Sequence, residues 1–359
     1  MKILIIVPNN NLGGAEQFLR MVASHYYKEH EVSVYFFYKK VDANAWDKLD
    51  GPSVSKRLFS AKNEKFGFIK FLFHQLFQSR ETYDYIYTSN VFVTGITGLL
   101  LKFRLLRAKK FIGRESTSIF IRYKGPKLLR YKFFYHLGYS KVNLLICQTD
   151  IMRDQLVKAL PFLESKAHTI SNPINLSEMT AMSRKEFNSI LPDQFVVTAG
   201  RLMPIKGFDY LIKSFASLKN EFPSLKLVIL GDGNLENDLK ELASSLYISR
   251  DVVFAGYVQN VYPYFNKAKL CVVSSILEGF PNVLLQMMSQ NTNVVSTLCA
   301  GNIDSIDGVE TCRPGDVEDL ANSMKKVLLN DNTNNRILFD TFLAQNDIEK
   351  FVDKVESLA

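Results

Sequence analysis

The stretch Leu270-Cys271-Val272-Val273-Ser274-Ser275-Ile276-Leu277-Glu278-Gly279-Phe280-Pro281-Asn282-Val283-Leu284-Leu285-Gln286 decides how the chain folds. Its first four residues form a short apolar run, the pattern of a buried strand. A glycine, an aromatic and a proline follow Glu278, and then apolar residues at helical spacing. Pro281 suits the first position of a helix, where its missing N–H is not needed. Strand, loop and helix in this order put a carboxylate beside the bare amides of a helix N-terminus, a ready site for an anion such as a diphosphate. Taken alone, the stretch reads equally as a strand–turn–helix with a solvated Glu.

Thr198-Ala199-Gly200-Arg201-Leu202-Met203-Pro204-Ile205-Lys206-Gly207-Phe208 has the same grammar. Phe195-Val196-Val197 reads as a strand, Gly200 lets the chain turn, and a proline loop bracketed by Arg201 and Lys206 opens a helix over 208–218. The planar fork of Arg and the point charge of Lys both suit phosphate oxygens.

Outward from these two stretches, strands and helices alternate throughout, which argues for parallel sheets covered by helices. Strands are expected at 2–7, 31–37, 84–88, 109–113, 142–147 and 167–170, then at 194–199, 225–230, 252–255, 269–273 and 293–297. Helices are expected near 14–28, 64–79, 91–107, 126–138 and 149–159, then near 207–220, 234–246, 260–266, 281–290, 316–328, 332–342 and 346–357. Residues 171–176 read as a connector and 177–193 as polar and irregular. In doubly wound folds ligands sit outside the carboxyl ends of the strands. Gly13-Gly14, Arg201 and Glu278 all follow strands in that way.

The 359 residues suit two domains, and 47% hydrophobic against 22% charged residues is a globular balance. The four cysteines have no metal or redox spacing; Cys147 and Cys271, in apolar runs, read as core thiols of a reducing cytoplasm. The five apolar residues between Lys2 and Pro8 are too few for a signal peptide. The uncharged stretch 85–101 breaks into a strand and a glycine-bearing helix and reads as core. Asn11-Leu12-Gly13-Gly14 and Gly231-Asp232-Gly233 do not complete a dinucleotide fingerprint, and the five histidines have no metal-ligand spacing.

The net charge of +8 is uneven. Residues 101–141 hold twelve Lys and Arg against one acid, Glu115, with nine aromatics interleaved from Phe103 to Tyr139. Basic charge with amphipathic aromatics fits an anionic membrane surface. A plain solvated face and a nucleic-acid surface carry the same charge, but no RNP, zinc-finger or helix-turn-helix pattern supports nucleic acid.

Six motifs in order give the chain a family resemblance: Gly13-Gly14-Ala15-Glu16, Ser171-Asn172-Pro173-Ile174, Gly200-Arg201-Leu202 with Lys206-Gly207, Gly231-Asp232-Gly233, Phe254-Ala255-Gly256-Tyr257-Val258, and Glu278 with Gly279-Phe280-Pro281-Asn282. The chain resembles the retaining glycosyltransferases of family 4, with the bacterial polysaccharide enzymes among them. The resemblance implies the GT-B architecture, in which two doubly wound Rossmann-like domains face a central cleft. It implies an acceptor-side domain over 1–172, joined by a C-terminal helix at about 344–359, and a nucleotide-sugar domain over 173–343.

It further implies that Arg201 and Lys206 neutralise the leaving diphosphate and that Glu278 accepts hydrogen bonds from the donor sugar. The amides of Gly279, Phe280, Pro281-flanked Asn282 and Val283 would add a helix N-terminus, with Gly200 in the facing turn. Tyr257 and Val258 would lie against the base, and Gly14 would approach the phosphates. The nucleotide-diphosphate sugar is then a co-substrate, with no cofactor, no metal and no protein nucleophile. Two positions depart from the family. Gln286 stands where a second Glu binds the ribose, and Gln can still pair with a diol. Where many members have a His, the chain reads Gly113-Arg114-Glu115-Ser116, so Glu115 is the candidate there, with a structural ion pair as the other reading.

The expected function is transfer of a sugar to a lipid-linked or cell-surface polysaccharide acceptor, in lipopolysaccharide or capsule synthesis, by a cytoplasmic protein resting on the inner face of the plasma membrane through 101–141. A non-catalytic nucleotide-sugar-binding partner of another transferase and a transferase with a soluble phosphorylated acceptor stand as alternatives.

Overall fold

Apolar residues that alternate along each central strand supply two opposite faces for helices to cover, and this pattern occurs twice. In the computed structural model, residues 1–11, 13–39, 45–60, 63–77, 81–185, 187 and 190–359 are described. The chain forms two compact units, Met1–Pro173 with Ile348–Ala359, and Ile174–Asp347.

The first unit carries strands β1 (Lys2–Asn9), β2 (Glu31–Tyr38), β3 (Val54–Leu58), β4 (Thr82–Thr88), β5 (Arg107–Arg114), β6 (Leu144–Cys147) and β7 (Ala167–Thr169). Its helices are α1 (Gly14–Tyr26), α2 (Glu64–Phe77), α3 (Val91–Lys102), the single turn α4 (Ile119–Arg122), α5 (Gly125–Gly138) and α6 (Asp150–Ala159). The sheet runs β3-β2-β1-β4-β5-β6-β7, every pair parallel. Successive strand residues face opposite ways. Thus Ile3, Ile5 and Val7 pack with Phe18 and Val22 of α1, whereas Leu4 and Ile6 pack with Phe71, Val93 and Tyr135 on the other face.

The second unit carries α7 (Leu176–Ser183), β8 (Phe195–Ala199), α8 (Phe208–Leu218), β9 (Lys226–Leu230), α9 (Glu236–Ser245), β10 (Val252–Gly256), α10 (Tyr262–Lys267), β11 (Leu270–Val273), α11 (Asn282–Met288), β12 (Val294–Thr297), β13 (Glu310–Cys312), α12 (Val317–Leu329) and α13 (Asn335–Gln345). Its parallel sheet runs β10-β9-β8-β11-β12-β13. Val196 meets Leu211, Phe215 and Met324 on one face, and Phe195 and Val197 meet Leu284, Phe339 and Leu343 on the other.

The chain then returns to the first unit through α14 (Ile348–Leu358). Phe351, Val352 and Val355 of this helix are buried with α1, and the Phe351 ring meets Phe18 edge-on at 5.5 Å. The Tyr26 hydroxyl donates to Glu356 at 2.8 Å, adding a polar tie.

Several elements differ from the sequence reading. β3 and β13 were not expected, because both are edge strands without an apolar run: β3 is Val-Ser-Lys-Arg-Leu, largely exposed. α7 begins on the last residue of the expected connector and runs through the start of the stretch read as irregular, started by the Asn175 side chain accepting from the Glu178 amide; residues 186, 188 and 189 of that stretch lie outside the described residues. The helix expected over 91–107 ends at Lys102, since Arg104 turns the chain at φ 59° and β5 begins at Arg107. The last two residues of the helix expected over 64–79 also lie outside the described residues. The stretch 85–101 is core, as expected. Its Gly98 lies so close to α5 that a Cβ would come within 2.0 Å of the Gly138 carbonyl oxygen. Among the described residues, no helix is long and apolar enough to cross a membrane. All four cysteines are free and buried.

Candidate functional site

In the second unit the strand order reverses between β8 and β11: the chain moves outward from β8 through β9 to β10, then returns to β11 on the other side. Loops leaving two neighbouring strands in opposite directions open a crevice at their carboxyl ends. The loops that leave β8 and β11 carry Gly200, Arg201, Lys206 and Glu278.

These loops are joined to each other. The Ser274 hydroxyl donates to the Lys206 carbonyl oxygen at 2.9 Å, and the Ile276 amide donates to the Ile205 carbonyl oxygen at 2.8 Å. Gly207 ends the turn Pro204–Lys206 at φ 64° and starts α8. A Cβ there would stand 2.2 Å from the Ser274 carbonyl oxygen, so both the backbone angle and the close approach call for glycine. The Glu278 amide donates to Cys299 at 2.8 Å, and the Thr297 hydroxyl donates to the Ser275 carbonyl oxygen at 2.5 Å. The segment after β11 is therefore held by both β8 and β12.

On this frame Lys206 Nζ lies 2.5 Å from Glu278 Oε1, and the Ser275 hydroxyl donates to the same oxygen at 2.9 Å. The two side chains are 22% and 18% exposed, so the pair is partly screened from water yet open to a ligand. An ammonium has three donors and no acceptor, and a carboxylate has two accepting oxygens. One bond between them leaves Lys206 with further protons for an anion, and leaves Oε2 of Glu278 able to accept from a ligand's hydroxyl groups.

The other expected residues are placed as follows. Arg201 is exposed on the β8 loop. Gly279 and Phe280 are half-buried ahead of α11; Pro281 stands just before the helix as its cap rather than at its first turn, with Asn282 and Val283 opening it. Gln286, one turn further on, approaches the Tyr262 hydroxyl at 3.4 Å through Nε2. Gly256 is left-handed at φ 69°, Tyr257 is 75% exposed, and Val258 packs on the core. In the first unit, Gly14 is exposed at the start of α1, where Gly13 is the cap.

Glu115 is not offered to a ligand. It is 2% exposed, and its carboxylate accepts from the Tyr135 hydroxyl at 2.7 Å and the Tyr139 hydroxyl at 2.9 Å. Burial pushes its carboxyl up to about 7, against the pull of the two hydroxyls and of Arg114. The sugar contact expected of Glu115 does not fit this position: the side chain turns into the helix-covered core instead of leaving the strand end.

Sequence reasoning passed over its neighbour. Arg114, 3% exposed, donates to Ser89 at 3.1 Å and to Asn172 at 2.6 Å, and its guanidinium covers the Phe18 ring at 4.4 Å. Asn172 in turn donates to Gln148 at 2.9 Å, and Gln148 donates to the Glu115 carbonyl oxygen at 2.8 Å. Asn172 belongs to the Ser171-Asn172-Pro173 motif, so its importance was visible, but its partners were not. Ser275, Thr297 and Tyr262 were missed likewise, because an isolated hydroxyl carries no spacing signal. Among the described residues, no three His, Cys, Asp or Glu side chains group as metal ligands would.

Two doubly wound units of this kind are the GT-B architecture. Residues 180–338 match the model of the family described as glycosyl transferases group 1. It is 32% identical to an uncharacterized glycosyltransferase of Methanocaldococcus jannaschii over 177 residues, 48% of this chain and 43% of that one. It is 27% identical, over 80% of this chain and 77% of the other, to a Campylobacter jejuni protein named as a GalNAc-alpha-(1->4)-GalNAc-alpha-(1->3)-diNAcBac-PP-undecaprenol alpha-1,4-N-acetyl-D-galactosaminyltransferase. The chain spans less than half the length of two of the curated relatives it matches. In fold it is similar to Anabaena HepE, solved in complex with UDP-glucose, with a TM-score of 0.76 and 17% identity over 99% of this chain and 100% of that one.

Proposed function

We propose that the chain is a retaining glycosyltransferase that moves a sugar from a nucleotide-diphosphate sugar to a lipid-linked or cell-surface polysaccharide acceptor. The observation that carries the reading is the Lys206–Glu278 pair at the strand-order reversal of the second unit. A cation fixed beside a carboxylate suits a donor whose diphosphate gains charge as the glycosidic bond breaks while its sugar hydroxyls need acceptors. Lys206, with Arg201 on the same loop, would stabilise the departing diphosphate. Glu278 would orient the sugar. Neutralisation by side chains leaves no step that calls for a metal.

The acceptor class rests on relatives named for undecaprenol-linked, lipopolysaccharide-core and capsular substrates. The basic, aromatic segment 101–141 supports a place on the anionic inner face of the plasma membrane, where such acceptors are carried. The test is release of nucleoside diphosphate from a panel of nucleotide sugars, with a lipid-diphosphate glycan extract as acceptor. Acceptor-dependent release from one donor, lost in Glu278→Gln, is the expected result. Donor binding without release from any sugar would move the protein to a non-catalytic role.

A further inference from the structure

Helix α2 is apolar on both of its faces. Its inner face packs Phe68, Phe71 and Leu72 onto the core of the first unit. Its outer face exposes Phe66 (44%), Ile69 (47%), Phe73 (56%), Leu76 (53%) and Phe77 (84%). Steps of three and four residues place these five on one continuous stripe. Five large apolar side chains exposed on one helix, beside Glu64, Lys65 and Lys70, make an apolar patch of the kind that marks an interaction surface.

Under this stripe, inner-face rings link α2 to its neighbours on the same side of the sheet. Phe68 of α2 meets Phe92 of α3 at 5.2 Å, and Phe92 meets Phe134 of α5 at 5.0 Å. Beside Phe134, α5 exposes Phe133 (60%) and Leu129 (66%). On α2 the charges are mixed, Glu64 beside Lys65 and Lys70, whereas around Phe133 and Leu129 they have one sign. No Asp or Glu occurs from Ser116 to Thr149, and Arg122, Lys124, Lys127 and Arg130 are exposed there. On α2 itself, Lys70 places its ammonium 4.9 Å from the Phe66 ring centre, along the apolar stripe.

From this we infer that the outer face of α2 enters an anionic lipid surface, with Phe73 and Phe77 in the acyl boundary and the basic residues of α4 and α5 on the headgroups. The charge complementarity selects a lipid bilayer over a second copy of this chain, whose matching face would be equally basic. The inference rests on the reading of a membrane-borne acceptor and names the element that reaches the membrane, which lies outside the basic segment 101–141.

Trp46 is the chain's single tryptophan and is fully buried, so Phe77→Trp adds a reporter on a quiet background. The probes are vesicles of phosphatidylcholine with and without phosphatidylglycerol, and the same vesicles with brominated acyl chains. Expected are a blue shift and bromine quenching at position 77 on phosphatidylglycerol vesicles, and about tenfold or weaker vesicle binding for Phe73→Ser with Phe77→Ser. Both substitutions replace exposed rings, and thermal melting checks that the variant stays folded. Vesicle binding with no quenching and no loss in the double variant would overturn the role of α2 and leave the basic segment as the contact. No binding to any vesicle, with sugar transfer intact, would overturn both membrane readings and spare the transferase. A dimer that Phe73→Ser with Phe77→Ser converts to monomer without altering vesicle binding would assign the stripe to self-association and overturn the inference.

Discussion

Lys206 and Glu278 stand 72 residues apart in the chain and meet at 2.5 Å, each on the loop that follows one of two neighbouring parallel strands. Their pairing makes them one unit, so their effects on turnover are not independent. Lys206→Ala and Glu278→Gln are each expected to lower kcat by about 10²–10³, with the double variant little worse than the poorer single one. Steady-state kinetics of the three variants check this; a fully multiplicative double loss would separate the two roles.

Gly207→Ala asks a left-handed residue to carry a Cβ that would meet the Ser274 carbonyl oxygen at 2.2 Å. Strain of this kind costs about 1–3 kcal/mol before any clash is counted. Urea unfolding of the variant is expected to show at least that loss, together with weaker donor binding, because the turn carries Lys206. Unchanged stability would mean that the β8 loop yields more easily than its hydrogen bonds imply.

Gln286 pairs only weakly with Tyr262 and is half-buried on α11. If it holds the donor ribose, Gln286→Ala is expected to raise the donor KM about tenfold while leaving kcat near the wild-type value, the mark of lost uniform binding. A fall in kcat at constant KM would contradict that role.

Glu115 is expected to give the fold a pH dependence of its own. Burial lifts its carboxyl from 4.5 to about 7 in the folded chain, so the folded state prefers the protonated form. Its contribution is therefore full below about pH 4.5 and is lost as pH rises through about 7. The difference in unfolding free energy between wild type and Glu115→Gln should shift against wild type across that window. Denaturant titrations at pH 5 and pH 8 measure it, and a pH-independent difference would refute the buried titration.

Phe351→Ala removes a buried ring that meets Phe18 at 5.5 Å. A loss of about 3–5 kcal/mol is expected for such a truncation, read by chemical denaturation. A negligible loss would show that α14 contributes little to the first unit.

The parallel two-sheet class was legible because its central strands, such as Ile3–Val7 and Leu270–Val273, are short apolar runs bounded by turn residues, and local pattern reports burial. β3 and β13 were illegible for the same reason: β3 is an exposed edge strand and β13 a three-residue edge strand, Glu-Thr-Cys, and neither has an apolar run to report. Lys206 and Glu278 could be named from the residues around them, since a loop between strand and helix has a local signature. Glu115 could not be placed, because a carboxylate two residues beyond a glycine reads the same whether it faces a ligand or a core.

The linear chain thus determined which segments are strands and helices, where the glycine and proline turns fall, and which charged residues follow strand ends, since each depends on neighbours a few positions away. Tertiary structure alone decided that β8 adjoins β11 and so brings Lys206 onto Glu278, that Asn172 bridges Arg114 and Gln148, that Tyr135 and Tyr139 enclose Glu115, and that one face of α2 stays exposed among the described residues. These are pairings between residues far apart in sequence. Their geometry comes from how helices and strands pack, which no short window of residues encodes.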